Sequence, residues 1–97
     1  MITSKQRSYL RGLAQKIEPI IQLGKDGINK NTLAQYEEAL EARELVKTSV
    51  LKSCEYDAKE AAHDIADAID AEVVQVIGNR FVLYKQSKEK KKIHLDI

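Results

Sequence analysis

Apolar side chains return at helical spacing early in the chain, at Leu10, Leu13, Ala14 and Ile17, while Arg7, Ser8, Arg11 and Gln15 take the opposite side. That period predicts an amphipathic helix over about Ser4–Lys16, capped by Thr3 or Ser4. Pro19 ends it, because a proline cannot continue the helical hydrogen-bond ladder. Ile20-Ile21-Gln22-Leu23 reads as a short buried strand stopped by Gly24. A second helix is predicted from Asn29 to about Glu44, with Leu33, Tyr36 and Leu40 on one face and Glu37, Glu38, Glu41 and Glu44 over much of the rest. The period then changes to two. Over Leu45–Leu51, Val46, Thr48 and Val50 face one way and Lys47 and Ser49 the other, the signature of a half-buried strand. Asp57 opens a third helix to about Ala71, turning Ala58, Ala61, Ala62, Ile65 and Ile69 inward and Glu60, Asp64 and Asp67 outward. Val73–Ile77 and Phe81–Lys85 are β-branched and aromatic, and Gly78-Asn79-Arg80 between them makes a hairpin with positive φ at Gly78 or Asn79.

The order α-β-α-β-α-β-β implies crossover connections and an α/β fold, read as a two-layer α+β arrangement with helices on a four-stranded mixed sheet. Residues 1–97 suit one domain, closed by a basic tail over 86–97 that either adds an edge strand or stays mobile. Hydrophobic residues at 43% and charged residues at 32% exclude a disordered chain. No apolar run approaches the roughly 20 residues that span a bilayer, so no membrane partner is expected. The N-terminal stretch lacks the apolar core of an export signal, and Cys54 is the single cysteine; both point to the cytoplasm. His63 and His94 offer no zinc-ligand spacing, and neither metal nor cofactor is expected. His63, beside alanines, reads as a partly buried packing residue and Cys54 as inert.

Charge changes the picture more than composition does. Residues 1–34 carry a net +4, residues 35–72 a net −7, and residues 73–97 a net +4, within a total of +1. Basic ends around an acidic middle make a two-faced molecule if the ends meet in space. The stretch LGKDGINKNT, Leu23 to Thr32, sets a cationic glycine turn ahead of a helix start. A plain strand-to-helix connection explains it. So does a phosphate cradle, in which chain passing Gly24 and Gly27 closely approaches a bound backbone, helix-start amides supply partial positive charge, and Lys25 and Lys30 add full charges. Asp26 is more easily a turn former.

The element order, LGKDG before the second helix, ELVK opening the second strand and the VIGNRFVLYK hairpin together resemble the CRM domain, in particular its small stand-alone YhbY-like bacterial members. The resemblance runs from about Ser4 to Ile93. It implies an RNA-binding protein with a fold similar to the C-terminal domain of bacterial translation initiation factor three, and association with precursors of the large ribosomal subunit. The family's GxxG loop, likened to that of KH domains, falls on Gly24-Lys25-Asp26-Gly27. Its hairpin motif usually ends in Tyr-Arg, whereas here Tyr84 precedes Lys85, which keeps the charge and loses the bidentate fork.

The expected RNA-binding residues are thus Gly24, Lys25, Asp26, Gly27 and Lys30 of the loop, Lys5, Arg7 and Arg11 of the first helix, and Arg80, Tyr84 and Lys85 of the hairpin. Lys88, Lys90, Lys91 and Lys92 extend the positive field. Among the aromatics, Tyr36 and Phe81 read as core, and Tyr84 or Tyr9 as the available stacking surfaces. Few aromatics and many lysines favour structured RNA such as rRNA, recognised by backbone and shape. Glu60, Asp64 and Asp67, and likewise Glu37, Glu41 and Glu44, are read as a solvated face that repels RNA, with no nucleophile beside them to suggest an enzyme. The competing reading is an adaptor, in which these acidic helices dock a basic ribosomal or translation-associated protein. The protein is expected to act as a monomer.

Overall fold

One half of the sheet is a pair of strands that a crossover helix makes run the same way. In the computed structural model, which describes residues 2–89 and 91–95, β1 (Ile21–Leu23) is followed by α2 (Lys30–Arg43) and returns as β2 (Leu45–Val50), parallel to β1 with Leu23 opposite Val50. After α3 (Ala58–Ile69), β3 (Glu72–Ile77) and β4 (Arg80–Tyr84) form an antiparallel hairpin. β4 inserts beside β2, giving the order β1-β2-β4-β3. The first helix, α1 (Ser4–Ala14), precedes the sheet.

Each helix begins where a side chain can take up its free amides. Thr3 and Gln6 form a capping box on α1, Asp57 and Glu60 another on α3, and the Asn29 side chain accepts from the Thr32 amide on α2. At the other end, α2 and α3 close on residues in the left-handed region, Glu44 (φ 66) and Asp70 (φ 59). In the hairpin, Gly78 takes the positive φ of 57 that the two-residue turn needs.

Alternation along the central strands divides the core in two. Val46, Val50, Phe81 and Leu83 point toward α2 and α3, where they meet Tyr36, Leu40, Ala61, Ile65 and Ile69. Leu45, Val82, Tyr84 and Val74 point to the other side and pack with Leu10 and Ala14 of α1. The α/β fold and four-stranded mixed sheet are as the sequence predicts, but helices cover both faces, so the molecule has three layers rather than two. The physical reason is β2 and β4, whose alternate residues are apolar on both sides, so one layer of helices would leave Leu45 and Val82 in water. On the two-helix side, Tyr36 and Phe81 are fully buried with ring centroids 6.4 Å apart. The Tyr36 hydroxyl shares a 2.5 Å hydrogen bond with the buried Thr48 hydroxyl, and burial raises its pKa.

Candidate nucleic-acid interface

Parallel pairing sends β1 and β2 out of the sheet at the same end, and the antiparallel hairpin turns there too. The Leu51 amide donates to the Leu23 carbonyl (2.8 Å) and the Val50 amide to the Asn79 carbonyl (2.7 Å), while the Asn79 side-chain amide donates back to the Val50 carbonyl (3.2 Å). The Gly24–Gly27 loop, the segment after β2 and the hairpin tip are thereby gathered at one end. Within the loop the Gly27 amide closes a turn on the Gly24 carbonyl at 3.0 Å. Gly27 has φ +64, whereas a Cβ added at Gly24 would meet Leu51 Cδ1 at an ordinary 3.4 Å. Gly27 is therefore the position where the turn requires glycine. The Thr32 hydroxyl donates to the Gly27 carbonyl at 3.3 Å and fixes the loop on the first turn of α2. Lys25, Asp26 and Lys30 are exposed beside a shallow polar cleft lined by Gly24, Gly27, Asn29 and Asn31. Amides at the first positions of a helix have no partner within it, so this cleft presents donors and cations to an anion.

Helix α1 reaches this end only with its last turn. Ala14 and Gln15 share a groove with Lys47, Ile77 and Arg80 at the hairpin. Its first turn lies at the start of β3, where the Ile2 amide donates to the Glu72 carboxylate (3.3 Å) and Arg7 Nε to the Val73 carbonyl (3.3 Å). Eleven helical residues separate the two ends by roughly 16 Å. The structure thus places Arg80 at the same end of the sheet as Gly24, Lys25, Asp26, Gly27 and Lys30, with Arg80 lining the groove on the α1 side. Arg11 is exposed along the helix, and Lys5 and Arg7 lie at the far end.

Tyr84 and Lys85 sit away from the glycine loop, and Tyr84 does not offer the stacking surface expected of it. Tyr84 is buried in the α1-side core, where burial and the nearby Glu44 carboxylate raise its pKa, so its ring offers no face for stacking. Lys85 Nζ donates to the Ile69 carbonyl at 2.7 Å, and its amide donates to the Glu44 carbonyl at 3.0 Å. This pair locks the ends of α3 and α2 at the opposite end of the sheet from the glycine loop. Tyr9, in contrast, is exposed.

The residues fixing this arrangement coincide with a recognisable domain. The family model for the CRS1 / YhbY (CRM) domain matches residues 2–85. The chain belongs to that family. The CRM chain is 50% identical to a Bacillus subtilis protein named "Probable RNA-binding protein YqeI", over 98% of this chain and 99% of that one. It is 34% identical to a Haemophilus influenzae protein named "RNA-binding protein", over 93% and 91% of the two chains. It also superposes on the solution structure of SAV1595 from Staphylococcus aureus with TM-score 0.80 and 49% identity, over 98% of this chain and 99% of that one. Among the described residues, no helix is long and apolar enough to cross a membrane.

Charge in this CRM domain follows the layers more than the linear blocks. Helix α1 carries Lys5, Arg7 and Arg11 and no carboxylate, while the exposed Glu37, Glu38, Asp64 and Asp67 belong to α2 and α3 across the sheet. His63, expected to be partly buried, is exposed among them. Two glutamates expected on that solvated face instead hold the tail, and one of them is buried. Glu44 is fully buried, and its carboxylate accepts from the amides of Ser87 (2.7 Å), Lys92 (2.5 Å) and Ile93 (2.6 Å). Glu41 accepts from the Ser87 hydroxyl (2.5 Å) and the amides of Lys88 (3.0 Å) and Glu89 (3.2 Å). The tail is accordingly tied back over the end of α2, and none of its described residues forms a strand. Lys90, expected to share the tail's positive field, lies outside the described residues, as do Met1 and the last two residues.

The Lys88 amide and the Ser87 hydroxyl hold the Glu41 carboxyl below its usual value of 4.5. A carboxylate depressed on folding stabilises the folded state fully above its unfolded pKa, and that contribution fades as pH falls through the lower folded value. Amide exchange at Lys88 and Glu89 is therefore expected to be slow at neutral pH and to accelerate, beyond its intrinsic pH dependence, below pH 4.5. Protection that persists unchanged into that range would exclude Glu41 as the clasp.

Sequence periodicity missed a second group of cations. Arg43 at the end of α2, Lys47 in β2 and Lys92 in the tail meet Lys16 beside α1. The acidic middle block hid Arg43 and Lys47, because net charge per segment says nothing about which face a strand residue occupies.

Proposed function

We propose that this CRM domain binds RNA through the glycine-loop end of its sheet, and that its target is structured rRNA in precursors of the large ribosomal subunit. It acts there in the cytoplasm as a non-enzymatic, monomeric assembly factor. The observation carrying this reading is that the Gly24–Gly27 turn leaves the end of β1 while the hairpin tip is hydrogen-bonded to Val50 at the end of β2, the strand paired with β1, with Lys25, Lys30 and Arg80 exposed at this end of the sheet. The names of the B. subtilis and H. influenzae relatives support RNA as the ligand class. The carboxylates on the outer side of α2 and α3 disfavour a phosphate backbone there and so orient the domain on its target. With about three to five phosphate contacts to single-stranded regions, log K against rRNA fragments should fall with log salt at a slope of roughly −2 to −3.5. A flat response contradicts phosphate-led binding.

A further inference from the structure

Beyond the glycine loop, an open groove of about 580 Å³ runs between the end of α1, β2 and the tail. Four cations reach it from four parts of the chain: Lys16, Arg43, Lys47 and Lys92, against one carboxylate, Glu18. Leu13, Ile17, Leu45 and Ile93 make the lining aliphatic between them. Lys47 Nζ donates to the Ile17 carbonyl at 3.2 Å, which holds the ammonium at the groove. Docking of the tail onto Glu44 through the Lys92 and Ile93 amides supplies one wall.

Like charges gathered on one surface repel, and a polyanion removes that cost. A bare anion would use the cations and leave the aliphatic lining idle. A nucleotide uses both, and the volume falls within the roughly 300–1,000 Å³ of small-ligand sites. Lys47 also lines the groove that carries Arg80 at the hairpin tip, so the positive surface continues from the proposed RNA-binding end into this one. We infer that the groove takes an unstacked nucleotide from a single-stranded extension of the bound RNA, its phosphate among Lys16, Arg43 and Lys92 and its base against the aliphatic lining. The inference rests on the RNA-binding reading and adds a second subsite to it.

The test compares a blunt RNA hairpin with the same hairpin carrying a short single-stranded extension, by fluorescence anisotropy. The wild-type protein should bind the extended RNA about tenfold more tightly, a difference of about 1.4 kcal/mol. The Arg43→Glu/Lys92→Glu variant alters two exposed side chains and keeps the Lys92 main-chain amide that donates to Glu44. It should lose that preference, with the salt slope for the extended RNA shallower by about 1.4, while blunt-hairpin affinity stays within about twofold. Equal wild-type affinity for the two RNAs, or a preference that survives the double substitution, overturns the inference and leaves the RNA-binding reading standing. Failure of both RNAs to bind overturns that reading itself. Polyglutamate that erases the preference as effectively as an RNA competitor assigns the groove to an acidic polypeptide instead. Should the variant not fold, 4-thiouridine in the extension of RNA bound to the wild type should crosslink to the peptides containing Ile17, Leu45 or Ile93. Crosslinks confined to other peptides contradict the site.

Discussion

Glu44→Ala is expected to lower unfolding free energy by about 3 kcal/mol and to release the tail. Three main-chain amides converge on this one carboxylate at 2.5–2.7 Å, and the side chain is fully buried. Hydrogen bonds to charged groups contribute about 1.5–3 kcal/mol each, so three intact bonds have a nominal sum well above the predicted loss. That sum is not reached, because an untethered tail can swing into water and hydrate its amides. Its undocking still uncovers Ile93 and Leu95, which pack on the α1-side cluster, and weakens the bond from Gln6 Nε2 to the Leu95 carbonyl. For a domain of this size the loss corresponds to about 15 °C in Tm. Glu44→Gly separates the two jobs of the residue: it removes the carboxylate but relieves the positive φ, so its loss should be smaller by about 1 kcal/mol. Thermal denaturation together with amide exchange at Ser87, Lys92 and Ile93 checks both variants. A Glu44→Ala protein within 1 kcal/mol of wild type, with these amides still protected, contradicts the clasp.

The largest functional effect is expected from Lys25→Ala/Lys30→Ala/Arg80→Ala, which should weaken rRNA-fragment binding about a hundredfold near physiological salt. Each exposed cation is assigned roughly 1 kcal/mol, below the range for well-ordered charged hydrogen bonds because water competes at the surface. Three contacts therefore give about 3 kcal/mol, consistent with a hundredfold change or slightly more. The salt slope should become shallower by about 2. All three side chains are exposed, so Tm should hold nearly constant. Lys5→Ala, at the far end of α1, is the matching control and should change affinity less than threefold. Equal losses in the triple variant and the control would mean diffuse attraction rather than a site at the glycine loop.

Much of this was readable in the chain because the strongest signals are local. Helix spacing at Leu10, Leu13 and Ala14, period two through Val46, Thr48 and Val50, and the Gly78 turn all depend on neighbours close in sequence. The glycine loop was legible for the same reason, since its chemistry lies within Leu23–Thr32. What escaped depends on distant partners. Glu44 looked like one more carboxylate on a solvated helix, and only the tail's amides, more than forty residues on, make it a buried acceptor. Tyr84-Lys85 looked like the outward end of a hairpin motif. β4, however, runs away from the hairpin tip, which carries the pair to the opposite end of the sheet, where α1 covers the ring and the α3 terminus takes the ammonium. The three-layer arrangement was implicit in apolar residues on both faces of β4, a pattern too short at five residues to outweigh the simpler two-layer expectation.

Amide chemical-shift mapping of the labelled protein during titration with an rRNA fragment tests the proposed binding end most directly. The largest changes should cluster at Gly24–Lys30, Gly78–Arg80 and Gln15–Lys16, with Asp64–Asp67 on α3 unmoved. Dominant changes on the acidic outer face of α2 and α3, or changes spread evenly over the surface, would contradict it.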